Sequence, residues 1–270
     1  MTAYTASELL CVMAARRLED GMTVFAGVGL PLLSVVLAKR THAPRLTMVV
    51  EGGVIGCEVV PGRLPISTNE MRLAHRATML PGITDLFLFA QRGYIDVAFM
   101  GGAQIDQHGN VNTSVIGASH GSSADDPARA ARGNYDHPRV RLPGTGGAND
   151  IASLCSELVI VTMHEKRRFV PRVDFVTSPG FLDGGDARRQ AGLCFGTVSQ
   201  VITNLGLFGF DDVSRAMRLD ALHPNVTIDD VREQTGFEVL VAEQVAVTEP
   251  PTETELAILR SLDADRRFLG

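Results

Sequence analysis

The chain has 270 residues, of which 45% are apolar and 21% charged, a balance that fits a folded globular protein and excludes a disordered or fibrous one. Its length can bury a full core in one large α/β domain or two small ones. A formal net charge of −6 leaves no basic footprint for nucleic acid or an anionic membrane, and no apolar run approaches the ~18 residues of a membrane span.

Met1 to Ser7 has no basic stretch followed by an apolar one, so no signal peptide is expected. Cys11, Cys57, Cys155 and Cys194 lie far apart with no C-x-x-C pair. That spacing suits reduced thiols in a cytoplasmic setting and offers no metal framework.

In chain order, Thr5-Ala-Ser-Glu8 reads as a capping box. Leu9, Val12, Met13 and Leu18 then recur at helical spacing until Gly21. Thr23 to Ala26 reads as a short buried strand, followed by the turn Gly27-Val28-Gly29. Pro31 opens a helix over Leu32 to Lys39, and Leu46 to Val50 is a second apolar strand running straight into Glu51-Gly52-Gly53. This strand–helix–strand order predicts a parallel sheet covered by helices. Residues 54–80 carry Gly and Pro without a period and read as irregular. Asp85 to Gln91 reads as helix, Asp96 to Met100 as strand, and Gln104 to Thr113 as a hairpin turning at Asp106, Gly109 and Asn110. Ser119 to Asp136 reads as a surface excursion. Another strong strand, Leu158 to Thr162, follows the Gly-rich turn at 144–147. The last third alternates short strands and turns, with one helix capped at Thr227 and stopping before Gly236, and another opened by the box Thr252-Glu253-Thr254-Glu255. No repeat or composition break divides residues 1–270, so a single domain is expected.

Two segments carry candidate chemistry. Glu51 stands where an apolar parallel strand stops, the edge at which open α/β sheets form their ligand crevice, and two glycines after it clear the approach of a bulky substrate. The plainer reading is a solvated carboxylate at the start of a Gly-rich turn. Gly144-Thr145-Gly146-Gly147-Ala148-Asn149 can aim several backbone N–H groups into one cavity, as in an anion nest or oxyanion hole; the plainer reading is a flexible turn. It lacks the Gly-Lys-Ser/Thr ending of a P-loop, and Gly27-Val28-Gly29 lacks the third glycine of a dinucleotide fingerprint.

Other patterns lead nowhere. His164-Glu165-Lys166-Arg167-Arg168 starts like the zinc helix H-E-x-x-H but has Arg at the second ligand position. Gly117-Ala118-Ser119-His120-Gly121 matches a nucleophile elbow without the long strand and apolar helix that an elbow needs. Lys166-Arg167-Arg168 could meet ligand phosphates or carboxylates, or be a solvated or intersubunit cluster. His42, His75, His108, His120, His137, His164 and His223 show no metal-ligand spacing, so no metal site is expected.

Taken together, the segments Val24 to Lys39, Val49 to Gly53, Gly101 to Asp106, Gly109 to Asn112, Gly144 to Asn149, His164 to Phe169 and Val173 to Gly180 resemble the small (B) subunit of glutaconate CoA-transferase and its class I CoA-transferase relatives. They keep the family's order and cover nearly the whole chain. The resemblance implies an open, mainly parallel α/β sheet with helices on both faces, of the CoA-transferase (NagB/RpiA-like) type. It implies an A (alpha) subunit partner in a heterodimer or heterotetramer, with the active site at their interface. Coenzyme A and acyl-CoA would be substrates, with no permanently bound cofactor. The family's catalytic glutamate falls on Glu51, and its G-x-G-G segment, whose backbone amide faces the acyl oxygen, falls on Gly144 to Gly147. Gly146 is the first choice for that amide and Gly147 the second. Gly27, Gly29, Gly52, Gly53, Gln104, Gly144 and Asn149 are the residues expected to border substrate.

Two departures stand out. Gly52 occupies a position where the family usually has Ser or Asn, and the stretch around 118–133 is longer than in the glutaconate enzyme. Some relatives have lost the glutamate and act as a ring-opening hydrolase or a decarboxylase, so its retention favours transfer, with a short dicarboxylic or related acyl group expected by resemblance. The alternatives are an acyl-CoA hydrolase using the same Glu51 with water, a support subunit, and a ligand-binding module. The last expects an attached helix-turn-helix, for which the residues before Thr5 leave no room.

Overall fold

Thr5 closes the first helix as its sequence predicts: its hydroxyl accepts from Glu8 N at 3.2 Å, and the Glu8 carboxylate accepts from Thr5 N at 2.9 Å. In this computed structural model, which describes residues 3–117, 135 and 138–270, helix α1 spans Ala6–Arg16. Strand β1 (Thr23–Phe25), helix α2 (Leu30–Arg40) and strand β2 (Thr47–Val50) follow, and Pro31 sits in the first turn of α2 as expected. The stretch read as irregular does hold a two-residue strand, β3 (Val54–Ile55), and one 3₁₀ turn, Met71–Ala74. Elements that short have no room for a hydrophobic period, so periodicity misses them.

Helix α3 (Ile83–Gln91) leads into β4 (Val97–Met100). The hairpin of β5 (Gln104–Ile105) and β6 (Val111–Asn112) pairs Gln104 with Asn112, as its turn residues predict. Strands β7 (Val115–Ile116) and β8 (Val140–Arg141) pair antiparallel. The excursion read at Ser119 to Asp136 lies, apart from Tyr135, outside the described residues, as does the elbow-like Gly117–Gly121 beyond Gly117. Helix α4 (Ala148–Leu154) returns the chain to β9 (Glu157–Val161). The short helix α5 (Ala187–Gln190) precedes β10 (Thr197–Ile202), β11 (Gly206–Phe210) and β12 (Met217–Leu222). Helix α6 (Ile228–Glu233), β13 (Leu240–Val247) and α7 (Glu253–Leu262) complete the chain, both helices opening on the capping boxes at Thr227 and Thr252.

Nine strands form one open sheet in the order β13-β12-β11-β10-β9-β4-β1-β2-β3. The block from β2 through β1, β4 and β9 to β10 is parallel; β3 and β11 attach antiparallel at its two ends. Strand alternation divides the core into two layers. Val24, Met48, Val50, Val97, Phe99, Val159 and Val161 point to the side packed by α1, α2 and α7. Phe25, Val49, Ala98, Met100, Leu158 and Ile160 point to the side of α3 and α4. Both faces are covered, which is why the central strands read as continuous apolar runs.

The two chain ends are tied together on the first face: Arg260 Nε donates to Glu8 Oε1 at 2.6 Å, and Arg16 pairs with Glu255 at 2.8 Å. The Arg260 guanidinium holds the Glu8 carboxyl below its usual range. On the opposite face the buried Arg188 of α5 donates to the carbonyls of Pro179, Gly180, Ala152 and Phe195 at 2.9–3.0 Å, clamping α4 to the 179–180 segment.

His164, just past β9, is buried and stacked on Phe169 with ring centroids 3.8 Å apart. Its ring nitrogens pair with Thr203 Oγ1 at 3.3 Å and Thr235 Oγ1 at 2.9 Å. Burial pushes its pKa down to about 3. An unfolded histidine titrates near 6.5, so the unfolded chain takes up a proton between about pH 6.5 and 3 that the folded chain refuses. Stability contributed by the neutral ring is therefore present above pH 6.5 and lost on acidification. We expect the urea midpoint to fall from pH 7 to pH 5 more steeply in the unmodified protein than in His164→Gln; equal slopes would show that this ring does not govern the acid response.

Candidate active site

Parallel pairing brings several strand ends to one edge. Phe25 lies opposite both Val49 and Ala98, and Met100 lies opposite Ile160. Gly27 after β1, Glu51 after β2 and Gly101 after β4 therefore share the carboxyl edge of the sheet, where ligand crevices of open α/β folds form. Helices α3 and α4 start at that same edge, because each returns the chain to the beginning of a parallel strand.

Behind the buried Val50, the chain reverses at Glu51: Gly53 N donates to Val50 O at 3.1 Å and the strand returns as β3. Gly53 has φ +89°, and a Cβ there would lie 2.3 Å from Pro81 O, so the turn demands glycine twice over. The half-buried Glu51 is thus held on a tight, packed turn.

The Gly-rich segment arrives from the other side. Gly144 has φ +96°; its N–H donates to Thr113 O at 2.9 Å, and Thr113 Oγ1 donates to Gly144 O at 2.8 Å. Asn149 N donates to Thr145 Oγ1 at 3.1 Å as α4 begins. The left-handed backbone at Gly146, φ +50°, sets the direction of the next peptide. Gly147 N–H then donates to Glu51 Oε1 at 2.7 Å. A Cβ on Gly147 would lie 2.7 Å from that oxygen and 2.7 Å from Phe87 Cζ, whereas one on Gly146 would lie 3.5 Å from the oxygen. The amide that meets the carboxylate is therefore Gly147's, the second of the two glycines singled out in the sequence; the N–H of Gly146 has no partner among the described residues.

Sequence reasoning missed what supports this pair. Phe87 of α3 stacks on Phe25, with ring planes 6° apart, and walls the glycine from the apolar side. Thr177 Oγ1 accepts from Thr113 N at 2.9 Å and lies 2.8 Å from Ser114 Oγ, while its carbonyl accepts from Asn149 Nδ2 at 3.1 Å. Thr177 lies inside the matched Val173–Gly180 segment, which is the one sequence signal that pointed to it; Phe87 is one apolar residue in an apolar helix and carried none.

The remaining expected residues fall into place unevenly. Gly27 opens onto free space at the carboxyl edge, and Gly29, with φ +104°, caps α2. Gly52 is exposed beside Glu51, and Asn149 is exposed with its amide engaged by Thr177. Gln104 is not a free substrate ligand in this arrangement. It is buried, its Oε1 accepts from Asn112 Nδ2 at 2.7 Å and from Asp174 N at 3.1 Å, and its Nε2 donates to Asp174 Oδ2 at 3.2 Å. Through Asn112 it braces the end of β6, just before Thr113. The basic run is also largely committed: Arg167 pairs with Glu165 at 2.7 Å, and Arg168 donates to Gly102 O. Among the described residues no group of His, Cys, Asp and Glu could hold a metal ion, and no helix is long and apolar enough to cross a membrane.

Comparison with known proteins gives the family of the chain. The family model described as "Coenzyme A transferase" matches residues 8–234. The chain belongs to the coenzyme A transferase family. Over 98% of its length it is 39% identical to the B subunit of the 3-oxoadipate CoA-transferase of Pseudomonas knackmussii, covering 95% of that protein. It is 35% identical to the B subunit of the glutaconate CoA-transferase of Acidaminococcus fermentans, over 99% of this chain and 96% of the other. The crystal structure of the Acidaminococcus fermentans glutaconate enzyme superposes with a TM-score of 0.87 at 33% identity, covering 100% of this chain and 98% of that one. The protein is thus a CoA-transferase of the B-subunit type on the α/β sheet expected of it, and coenzyme A is a substrate of its family.

In this CoA-transferase, Gly147 has φ −84°, so alanine is conformationally tolerated there and its methyl group acts through contact alone. Gly147→Ala is expected to drive the Glu51 carboxylate off its amide and lower kcat about 100-fold, the scale of losing an oxyanion donor. Circular dichroism should be unchanged; a kcat within threefold of the unmodified enzyme would separate this amide from catalysis.

Proposed function

We propose that Glu51 is the nucleophile of a two-subunit acyl-CoA:carboxylate CoA-transferase, in which this chain is the B subunit and pairs with an A-type chain. The observation that carries this reading is the 2.7 Å hydrogen bond from Gly147 N–H to Glu51 Oε1 at the carboxyl edge of the parallel sheet. A carboxylate is a weak nucleophile in water, but one that is oriented and partly desolvated attacks a thioester. With Oε1 held by Gly147, the second oxygen, Oε2, is the attacking atom.

Oε2 adds to the donor acyl carbonyl, the C–S bond breaks, and CoA leaves as thiolate from a mixed anhydride on Glu51. The thiolate then adds to Glu51 Cδ and expels the donor acid as its carboxylate, which leaves a glutamyl-CoA thioester. An acceptor carboxylate adds to Cδ, CoA thiolate leaves, and the same thiolate attacks the acceptor carbonyl of the new anhydride. The products are acceptor acyl-CoA and a regenerated Glu51 carboxylate that has given one oxygen to the donor acid and taken one from the acceptor, with no net change of oxidation state. At every addition to Cδ the developing oxyanion forms on Oε1, already within hydrogen-bond range of Gly147 N–H. The bond strengthens as negative charge concentrates on Oε1, which favours the transition state over the ground state. The neighbouring N–H of Gly146 is the second donor in this reading.

The A-type partner is supported by end-to-end likeness to proteins named as B subunits. It is also supported by exposed apolar side chains on the segments that wall the Glu51 turn: Ile66 is 67% exposed, Met71 81% and Leu80 62%. Two relatives are named for 3-oxoadipate and glutaconate, both short dicarboxylates, and that is the acyl class we propose.

The test is to incubate the assembled two-subunit enzyme with acyl-CoA, reduce with borohydride and map the adduct by mass spectrometry. Reduction is expected on Glu51. Glu51→Ala should have no transfer activity and Glu51→Asp little, because a side chain one methylene shorter withdraws the attacking oxygen. Transfer by Glu51→Ala near the unmodified rate refutes the assignment. Free thiol should not accumulate with or without an acceptor acid, because CoA passes from donor to acceptor; strong release without an acceptor marks a hydrolase.

A further inference from the structure

The residue after the nucleophile is glycine for want of space. No left-handed φ is required at Gly52, yet a Cβ built there would lie 2.1 Å from Thr68 O, 3.0 Å from Thr68 C and 2.8 Å from Asn69 Oδ1. Thr68 and Asn69 therefore occupy the volume that a side chain on residue 52 would take.

These residues are the tip of a braced finger. Its roots, Leu64 and Leu73, are buried in the core. Within it, Ile66 N donates to Glu70 Oε2 at 2.7 Å, Arg72 pairs with Glu70 at 2.6 Å, and Arg72 Nη1 donates to Leu64 O at 2.9 Å. The charges of the finger are thus spent on holding its own shape. The tip, Ser67-Thr68-Asn69, is uncharged and polar. Asn69 N donates to Ser67 Oγ at 3.3 Å, while the exposed side-chain amide of Asn69 has no partner among the described residues. That amide offers two N–H donors and an acceptor. Its oxygen lies within roughly 8 Å of the Glu51 Cα, by standard backbone spacing.

We propose that Asn69 is a specificity-determining residue for the acyl group: its side-chain amide donates to an oxygen at the far end of an acid bound to Glu51. The inference rests on Glu51 being the nucleophile and deepens that reading. The two carboxyl carbons of a five-carbon diacid lie about 5 Å apart by standard bond lengths, which suits the span from Glu51 to the finger tip. A polar site built to pair with a substrate oxygen discriminates against an acid that ends in a methyl group instead.

The experiment compares glutaryl-CoA with pentanoyl-CoA, which share CoA and chain length and differ in the terminal group. Single-turnover formation of the borohydride-trapped Glu51 adduct is measured for both, in the assembled enzyme. The unmodified enzyme should favour glutaryl-CoA. Asn69→Ala should lower the glutaryl rate constant per concentration about tenfold, the scale of a hydrogen bond to a charged oxygen, and leave the pentanoyl value within twofold. Asn69→Asp should lower the glutaryl value further, by charge repulsion. An unmodified preference for pentanoyl-CoA, an unchanged ratio in both variants, or an equal fall for both substrates overturns the role of Asn69 while leaving Glu51 as nucleophile. Absence of any adduct on Glu51 with either substrate overturns both readings.

Discussion

A single hydrogen bond, Gly147 N–H to Glu51 Oε1, joins two residues 96 positions apart across the carboxyl edge of the sheet, and the function proposed for this edge depends on it. Its donor is a backbone group, so its position is set by the fold of the loop and cannot be adjusted by rotating a side chain. Everything around it serves to hold two peptides in register: the Gly53 turn behind the carboxylate, the left-handed Gly144 and Gly146 ahead of the amide, and Phe87 filling the apolar side. In the mechanism proposed for Glu51, a preoriented dipole of this kind needs little reorganisation as charge develops.

The rest of the architecture supplies rigidity to that contact. β2 and β9 are held in a parallel block through β1 and β4, and the block is covered by helices on both faces, so the strand ends have little freedom to shift. Buried and half-buried polar groups serve as struts: Asn112, Thr113 and Thr177 tie the hairpin to the glycine loop, and Arg188 ties α4 to the segment beside it. Polar groups inside a protein are stable when they are satisfied, and a satisfied network also fixes one geometry. Gln104 belongs to this supporting set, one step removed from the edge it was expected to line.

Much of the fold was legible because its signals are local. The capping boxes at Thr5, Thr227 and Thr252 mark helix starts through side chains three residues apart, and the apolar runs at 48–50, 97–100 and 158–161 mark strands buried on both faces. Short elements were not legible: β3 owes its existence to pairing with β2 and the bridge of Ile55 to Met79, neither of which leaves a periodic trace. The candidate site was half legible. Glu51 and the 144–147 run stand out as residue types at element ends, but Phe87, Thr177 and Asn69 are ordinary in sequence and gain meaning from what lies opposite them.

By itself, then, the chain's residue order marked the longer apolar strands and the capped helices, and it showed that a carboxylate ends one apolar strand and that a glycine run precedes another. It also carried the family likeness, spread over nearly the whole length. Tertiary structure decided that the amide of Gly147, not that of Gly146, faces the carboxylate, that Gln104 is spent internally, and that Thr68 and Asn69 take the space beside Gly52. The physical reason is range. Periodicity and caps act over a few residues along the chain, whereas the direction of an N–H and the volume left at a glycine are set by segments that meet only once the sheet has assembled.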